Sequence, residues 1–193
     1  MIEPKTLMLP VPVNQRDHVI GPAETPVTVV TYGDYECSAC YGRHRATEKT
    51  FHEMLGSVRF VYRHFPLINV HARALRAAEA AEAAAAQGKF WEMHRLLYSR
   101  SNKLSDPELR RHARTIGLDL VRFDRDMANG AYADQIKKGY YDSIINGISG
   151  APTTFINGAL CAMSGVELLG AVKAARNKSK YSPAIGMMAR SSD

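Results

Sequence analysis

A run of β-branched residues, Val27-Thr28-Val29-Val30-Thr31-Tyr32, is cut off by Gly33-Asp34 and gives way to a segment of helical character beginning at Ser38. Nearly continuous in apolar character, such a run suits a strand buried on both faces in the middle of a sheet. The helix is expected over residues 38–55, with Ala39, Tyr41, Ala46, Phe51 and Met54 as its apolar positions and Gly56 as its end. A second run, Val58-Arg59-Phe60-Val61-Tyr62-Arg63-His64-Phe65, follows at once and stops at Pro66. Strand, helix and strand in this order make a parallel pair with a right-handed crossover, so the chain is α/β at its centre.

Past Pro66 the texture changes and reads as helical up to residue 147. Residues 71–87 are dominated by alanine and end at Gly88, and Phe90, Met93 and Leu97 then recur at the spacing of a core-facing helix. Trp91 and His94 read as packing residues of the same segment, not as ligands. Ser105 and Glu108 are spaced as a capping box, Asp119 can cap a short helix carrying Leu120, Val121, Phe123 and Met127, and a further helix is expected over 132–145. The β pattern returns at Thr153-Thr154-Phe155-Ile156, where Asn157-Gly158 predicts a type I′ hairpin turn with a return strand over 159–163. A helix over 166–175 closes the fold. The expected organisation is an extended, proline-rich arm (1–26), an α/β domain split between 27–65 and 148–176, a helical insertion (66–147) and a flexible basic tail (177–193).

At 193 residues, 46% hydrophobic and 23% charged, the chain can bury one sizeable core, which argues against wholesale disorder. The net charge of +6 is scattered; its densest run, Arg110, Arg111, His112 and Arg114, reads as a solvated helix face, so no nucleic-acid partner is expected. No apolar stretch approaches the ~20 residues of a membrane span, and the short, proline-broken run near the N-terminus does not read as a signal peptide. The chain as it stands is therefore expected to be cytoplasmic, and periplasmic or otherwise extracytoplasmic if a leader has been removed.

Three cysteines cannot staple a chain of this length, which makes a chemical use more plausible than a structural one. Cys37 and Cys40 flank Ser38 and Ala39 at the handover from strand to helix. Unpaired N–H groups and the positive end of the helix dipole stabilise a thiolate there, and the thiolate is the attacking species in disulfide exchange. Cys40, one turn deeper, can resolve a mixed disulfide formed at Cys37. The competing readings are a pair of inert buried thiols, or a zinc site using Cys37, Cys40 and His44 that lacks a fourth ligand; no metal and no organic cofactor is assigned. His44 is expected to face solvent, and Cys161 to be a small apolar residue on the hairpin. Asp34 is either a turn residue or a group facing the site, and Glu36, next to Cys37, would oppose its ionisation.

Residues 26–40, ending in Cys37-Ser38-Ala39-Cys40, together with Gly150-Ala151-Pro152-Thr153-Thr154-Phe155-Ile156-Asn157-Gly158, resemble the two landmarks of DsbA-like proteins of thioredoxin fold. Ala77-Ala78-Glu79-Ala80-Ala81 and Gln87-Gly88-Lys89-Phe90-Trp91-Glu92-Met93-His94 are similar to that family's helical insertion, and the likeness extends over residues 20–175. The resemblance implies a thioredoxin-like fold with an all-helical insertion and dithiol–disulfide exchange with protein or peptide substrates and a redox partner. It also implies a cis peptide bond before Pro152 and a substrate backbone pairing with Ala151. Fold relatives that are glutathione-dependent transferases or isomerases replace the pair by one Ser or Cys, whereas this chain keeps both sulfurs. It departs from the family in two places. Ser38 and Ala39 lack the DsbA-type histidine, which implies a less oxidising couple, and Thr31 stands six residues before Cys37 where the family often has a buried acid.

Overall fold

The computed structural model describes residues 7–162 and 167–181. Its sheet has five strands in the order β1-β3-β2-β4-β5: β1 (His18–Ile20), β2 (Val27–Gly33), β3 (Val58–His64), β4 (Thr153–Ile156) and β5 (Ala159–Leu160). The β2 and β3 strands are parallel, joined through α1 (Ser38–Glu53), and β4 runs antiparallel to β2 on its other side. Val27 and Val29 point into one buried cluster and Val30 and Tyr32 into another, so the expected central strand is covered on both faces. Each such aliphatic side chain contributes roughly 1.5–3 kcal/mol by leaving water.

The helical stretch holds α2 (Ala74–Ala85), α3 (Phe90–Ser99), α4 (Asp106–Thr115), α5 (Leu120–Ala128) and α6 (Ala133–Ile145). Alanines of α2 let Phe90, Met93 and Leu97 of α3 pack closely, and this layer is continuous with the two cysteines in one buried cluster. Asp119 caps α5 as expected, its Oδ1 accepting from the amides of Val121 and Arg122. At Ser105 the expected capping box does not form: the N-cap hydroxyl makes no capping bond, and Glu108 pairs with Arg111. Nor is the basic run of α4 wholly solvated, because His112 is buried with its ring against the carbonyl of Lys103 at 3.0 Å.

Three further differences reflect tertiary context. The arm is not merely laid over the domain: β1 adds to the sheet edge antiparallel to β3, and Arg63 holds the arm through Asp17 (2.7 and 2.8 Å) and the carbonyls of Val11 and Pro12. Buried along α1 are Cys40, Arg43 and Thr50, with Met54 at its C-cap, whereas Ala39 and Tyr41 are exposed. The closing helix, α7 (Leu168–Tyr181), runs further than expected, so residues 177–181 of the expected tail are helical. Residues 1–6 of the arm, 163–166 with the expected end of the return strand and start of the last helix, and 182–193 of the tail lie outside the described residues. At the hairpin, Asn157 and Gly158 both take positive φ (48° and 84°), the combination a type I′ turn demands.

Candidate active site

The sheet order sets the site. Because Tyr32 of β2 is paired with Thr153 of β4, the loop before β4 is delivered beside the C-terminal end of β2, where α1 begins. That loop carries the Ala151-Pro152 bond, which is cis as the resemblance implied. Its Ala151 carbonyl oxygen lies 3.7 Å from the Cys37 Sγ. Cys37 is the N-cap of α1 in extended conformation (φ −81°, ψ 119°), and its sulfur accepts from the Cys40 amide at 3.3 Å. Ser38 and Ala39 are exposed on the rim, both cysteines are buried and unbridged, and Cys37, at 7% exposure, is the more accessible of the two.

These contacts separate the two thiols. Cys37 is lowered to about 6, chiefly by a hydrogen bond from the Cys40 thiol, with the amides of Cys40 and Ala39 adding to it and burial and Asp34 opposing it. Cys40 is pushed far up, first by that same hydrogen bond and then by burial. The helix N-terminus does favour the thiolate as expected, but it is joined by a second sulfur that donates to the first.

The acid that the sequence leaves missing at Thr31 is not replaced at the same place. Thr31 instead bonds the Thr154 hydroxyl at 3.2 Å. The carboxylate nearest in effect to both sulfurs is Asp34, 2% exposed, accepting from the amides of Glu36 (2.7 Å) and Leu67 (2.8 Å) and from His71 Nδ1 (2.9 Å). Glu36, the residue adjacent to Cys37, turns away and accepts from the Arg73 amide at 2.7 Å. His71 is raised above its ordinary value, first by its bond to Asp34 and further by the negative charges of Asp34 and Cys37. Sequence reasoning missed His71, reading it as the start of an alanine helix; only the fold brings residue 71 back to residue 34.

Beneath Cys40 lies a cavity lined by Thr31, His44, Thr47, Tyr62, His94 and Tyr98, among others, with about 20 Å³ for the centre of a water molecule, room for one. His44 does not simply face solvent: its ring stacks on Tyr98 at 4.6 Å between centroids, and burial lowers it to about 4. His94, expected as packing, is buried and bonded to the Tyr35 hydroxyl at 3.0 Å. Among the described residues, Cys37, Cys40 and His44 do not form a group with ligand atoms within 4.8 Å of one another, which counts against the zinc reading of this motif. Cys161 lies just beyond β5, half-buried against the cluster that includes Leu168 and Val172 of α7.

Comparison with known proteins bears on this geometry. The family profile described as Thioredoxin matches residues 13–174. Part of the Na(+)/H(+) antiporter NhaA 3 of Salinispora tropica is 46% identical over 152 residues, 79% of this chain and 23% of that protein. NhaA 1 of Salinispora arenicola is 44% identical over the same shares, so the chain spans less than a quarter of the length of these curated relatives. The solved structure of a thioredoxin-like oxidoreductase from Silicibacter pomeroyi superposes with a TM-score of 0.72 at 30% identity, covering 85% of this chain and 94% of that one. The thiol-disulfide exchange protein alpha-DsbA2 of Wolbachia pipientis shares the fold, with a TM-score of 0.70 at 20% identity, covering 83% of this chain and 88% of its own.

Proposed function

This chain belongs to the thioredoxin family, and from that premise we propose that it exchanges disulfides in the DsbA-like manner, with protein or peptide substrates, through Cys37 and Cys40. The observation that carries the proposal is the asymmetry of the two sulfurs, the more exposed of which is lowered towards a thiolate near neutral pH while the deeper one stays a thiol that donates to it. In the reducing direction the Cys37 thiolate attacks a substrate disulfide, forming a mixed disulfide and releasing one substrate thiolate. Cys40 then gives up its proton and attacks the Cys37 sulfur; the internal disulfide forms and the second substrate thiolate leaves. In the oxidising direction the same steps run backwards. Which direction dominates is set by the potential of the pair against its compartment: reductase or isomerase where glutathione keeps thiols reduced, oxidase where it does not.

Ala151 and Pro152 lie beside Cys37, where an extended substrate chain could pair its amide with the Ala151 carbonyl. The cavity beneath Cys40, lined in part by Thr31, Thr47 and His44, has room for one water, which would offer the Cys40 proton a path away from the sulfur. Among the described residues no helix is long and apolar enough to cross a membrane, and the dithiol, not the antiporter name of the longer relatives, carries the proposal.

Trapping tests it. Incubated with a disulfide-bonded peptide, Cys40→Ser is expected to accumulate a mixed disulfide at Cys37, and Cys37→Ser to form none. A Cys40→Ser protein that stays unmodified, while wild type forms no internal disulfide in oxidised glutathione, would remove the proposal.

A further inference from the structure

At the junction of the arm, the sheet and the insertion, His18 of β1, His64 of β3 and Glu82 of α2 converge. Their Nε2 atoms lie 2.8 and 2.9 Å from the same carboxylate oxygen, Oε1 of Glu82, and all three ligand atoms are within 4.8 Å of one another. We propose that His18, His64 and Glu82 form a binding site for a divalent zinc ion, separate from the dithiol and independent of its redox chemistry.

The donor set selects the metal. Two imidazoles and one carboxylate match a three-ligand zinc site that keeps a fourth position open; without sulfur it does not suit Cu(I), and with only one oxygen donor it does not suit calcium or magnesium. In tetrahedral coordination at the usual zinc–ligand lengths the donor atoms stand roughly 3.3 Å apart, so small side-chain movements turn the hydrogen-bonded triad into a ligated one.

Its parts are already organised for this. The His18 ring is stacked on Phe90 with centroids 3.5 Å apart and planes 7° from parallel, and His64 stands edge-on to Tyr62 at 5.4 Å. The His64 Nδ1 atom is buried with no hydrogen-bond partner. The contact with the Glu82 carboxylate, which can only accept, places the ring proton on Nε2, so ligation through Nε2 moves that proton to Nδ1, where no existing hydrogen bond has to be broken. On the fourth side an open cleft of about 240 Å³, walled in part by Arg16, Asp17, Gln135 and Asp142, admits water or a small anion.

Tyr35 and Tyr62 pack against His64 and share a buried cluster with Cys37 and Cys40, placing an aromatic layer between the two sites. A zinc ion here would tie β1, β3 and α2 together and stabilise the folded state by mass action while leaving the thiols free.

The test uses the full chain with Cys37 and Cys40 oxidised to a disulfide, so that thiolates cannot chelate, titrated with zinc sulfate by calorimetry. The expected result is one ion per chain, with Tm raised by roughly 5–10 °C at about 100 times the Kd. His18→Asn and Glu82→Gln are each expected to weaken binding at least tenfold, and Cys161→Ser to leave it unchanged. The proposal is overturned if the oxidised protein takes up no zinc, if His18→Asn binds as tightly as wild type, or if binding disappears with Cys161. Should Glu82→Gln fail to fold, His18→Asn decides alone, since the His18 side chain is 19% exposed at the sheet edge.

Discussion

Around Cys37, the groups that touch the sulfur or set its charge come from the strand-and-turn half of the chain: the first turn of α1, the Ala151 carbonyl and Asp34. Around Cys40, one wall of the cavity comes from the other half, where α3 of the insertion supplies Trp91, His94 and Tyr98. The mouth of the site is thus built within the α/β domain, across the 114 residues that separate Cys37 from Ala151, and its floor is shared with the insertion, as the bond between Tyr35 and His94 illustrates. Lowering Cys37 takes the helix start together with the Cys40 thiol; keeping the second sulfur protonated takes that same hydrogen bond and burial, and burial requires the insertion to close over it.

The halves meet closely at Gly33. A β-carbon there would fall 2.7 Å from the Tyr98 hydroxyl and 2.8 Å from Tyr62 Cε2. Gly33→Ala is expected to force α3 away from β3 and cost about 1–3 kcal/mol, read as a lower midpoint of denaturation. If both halves tolerate it without loss, the insertion is not packed on the floor as described. A smaller effect is expected from Tyr98→Phe, which leaves the buried Tyr62 hydroxyl without the partner it has at 3.1 Å. That change is expected to cost about 1–2 kcal/mol while leaving the titration of Cys37 in place, since the mouth does not depend on Tyr98. A Cys37 that titrates differently in Tyr98→Phe would show that the two regions are coupled.

His71 gives the smallest and most specific effect. Its value is raised in the folded protein by Asp34, so the ion pair contributes stability that is fully present below the ordinary histidine range and is lost as pH rises through the raised value. His71→Gln is expected to abolish that pH dependence and, by removing a cation beside Asp34, to raise Cys37. A pH–stability profile of His71→Gln identical to that of wild type would contradict the pairing.

The same division explains what the sequence could convey. The β2–α1–β3 unit, the Asn157-Gly158 turn, the Asp119 cap and the pair Cys37 and Cys40 were legible because each depends on residues adjacent in the chain. His44 and His71 were not, because their partners, Tyr98 and Asp34, lie far away in sequence. The strand β1 escaped notice for a related reason: three residues carry too little periodicity to declare a strand, and β3 supplies the edge that makes them one. On α1, apolar Tyr41 is exposed and polar Thr50 is buried because the Thr50 hydroxyl is satisfied by the Ala46 carbonyl at 2.7 Å, which composition alone does not reveal.

Disulfide exchange here depends on the ionisation of one sulfur, which is read from the rate of Cys37 alkylation as a function of pH, measured on reduced Cys161→Ser so that only the pair contributes. A rate that follows a titration at about 6, with Cys40 unreactive through the same range, is the predicted result. A single titration near the ordinary thiol value of about 8.5 would contradict it.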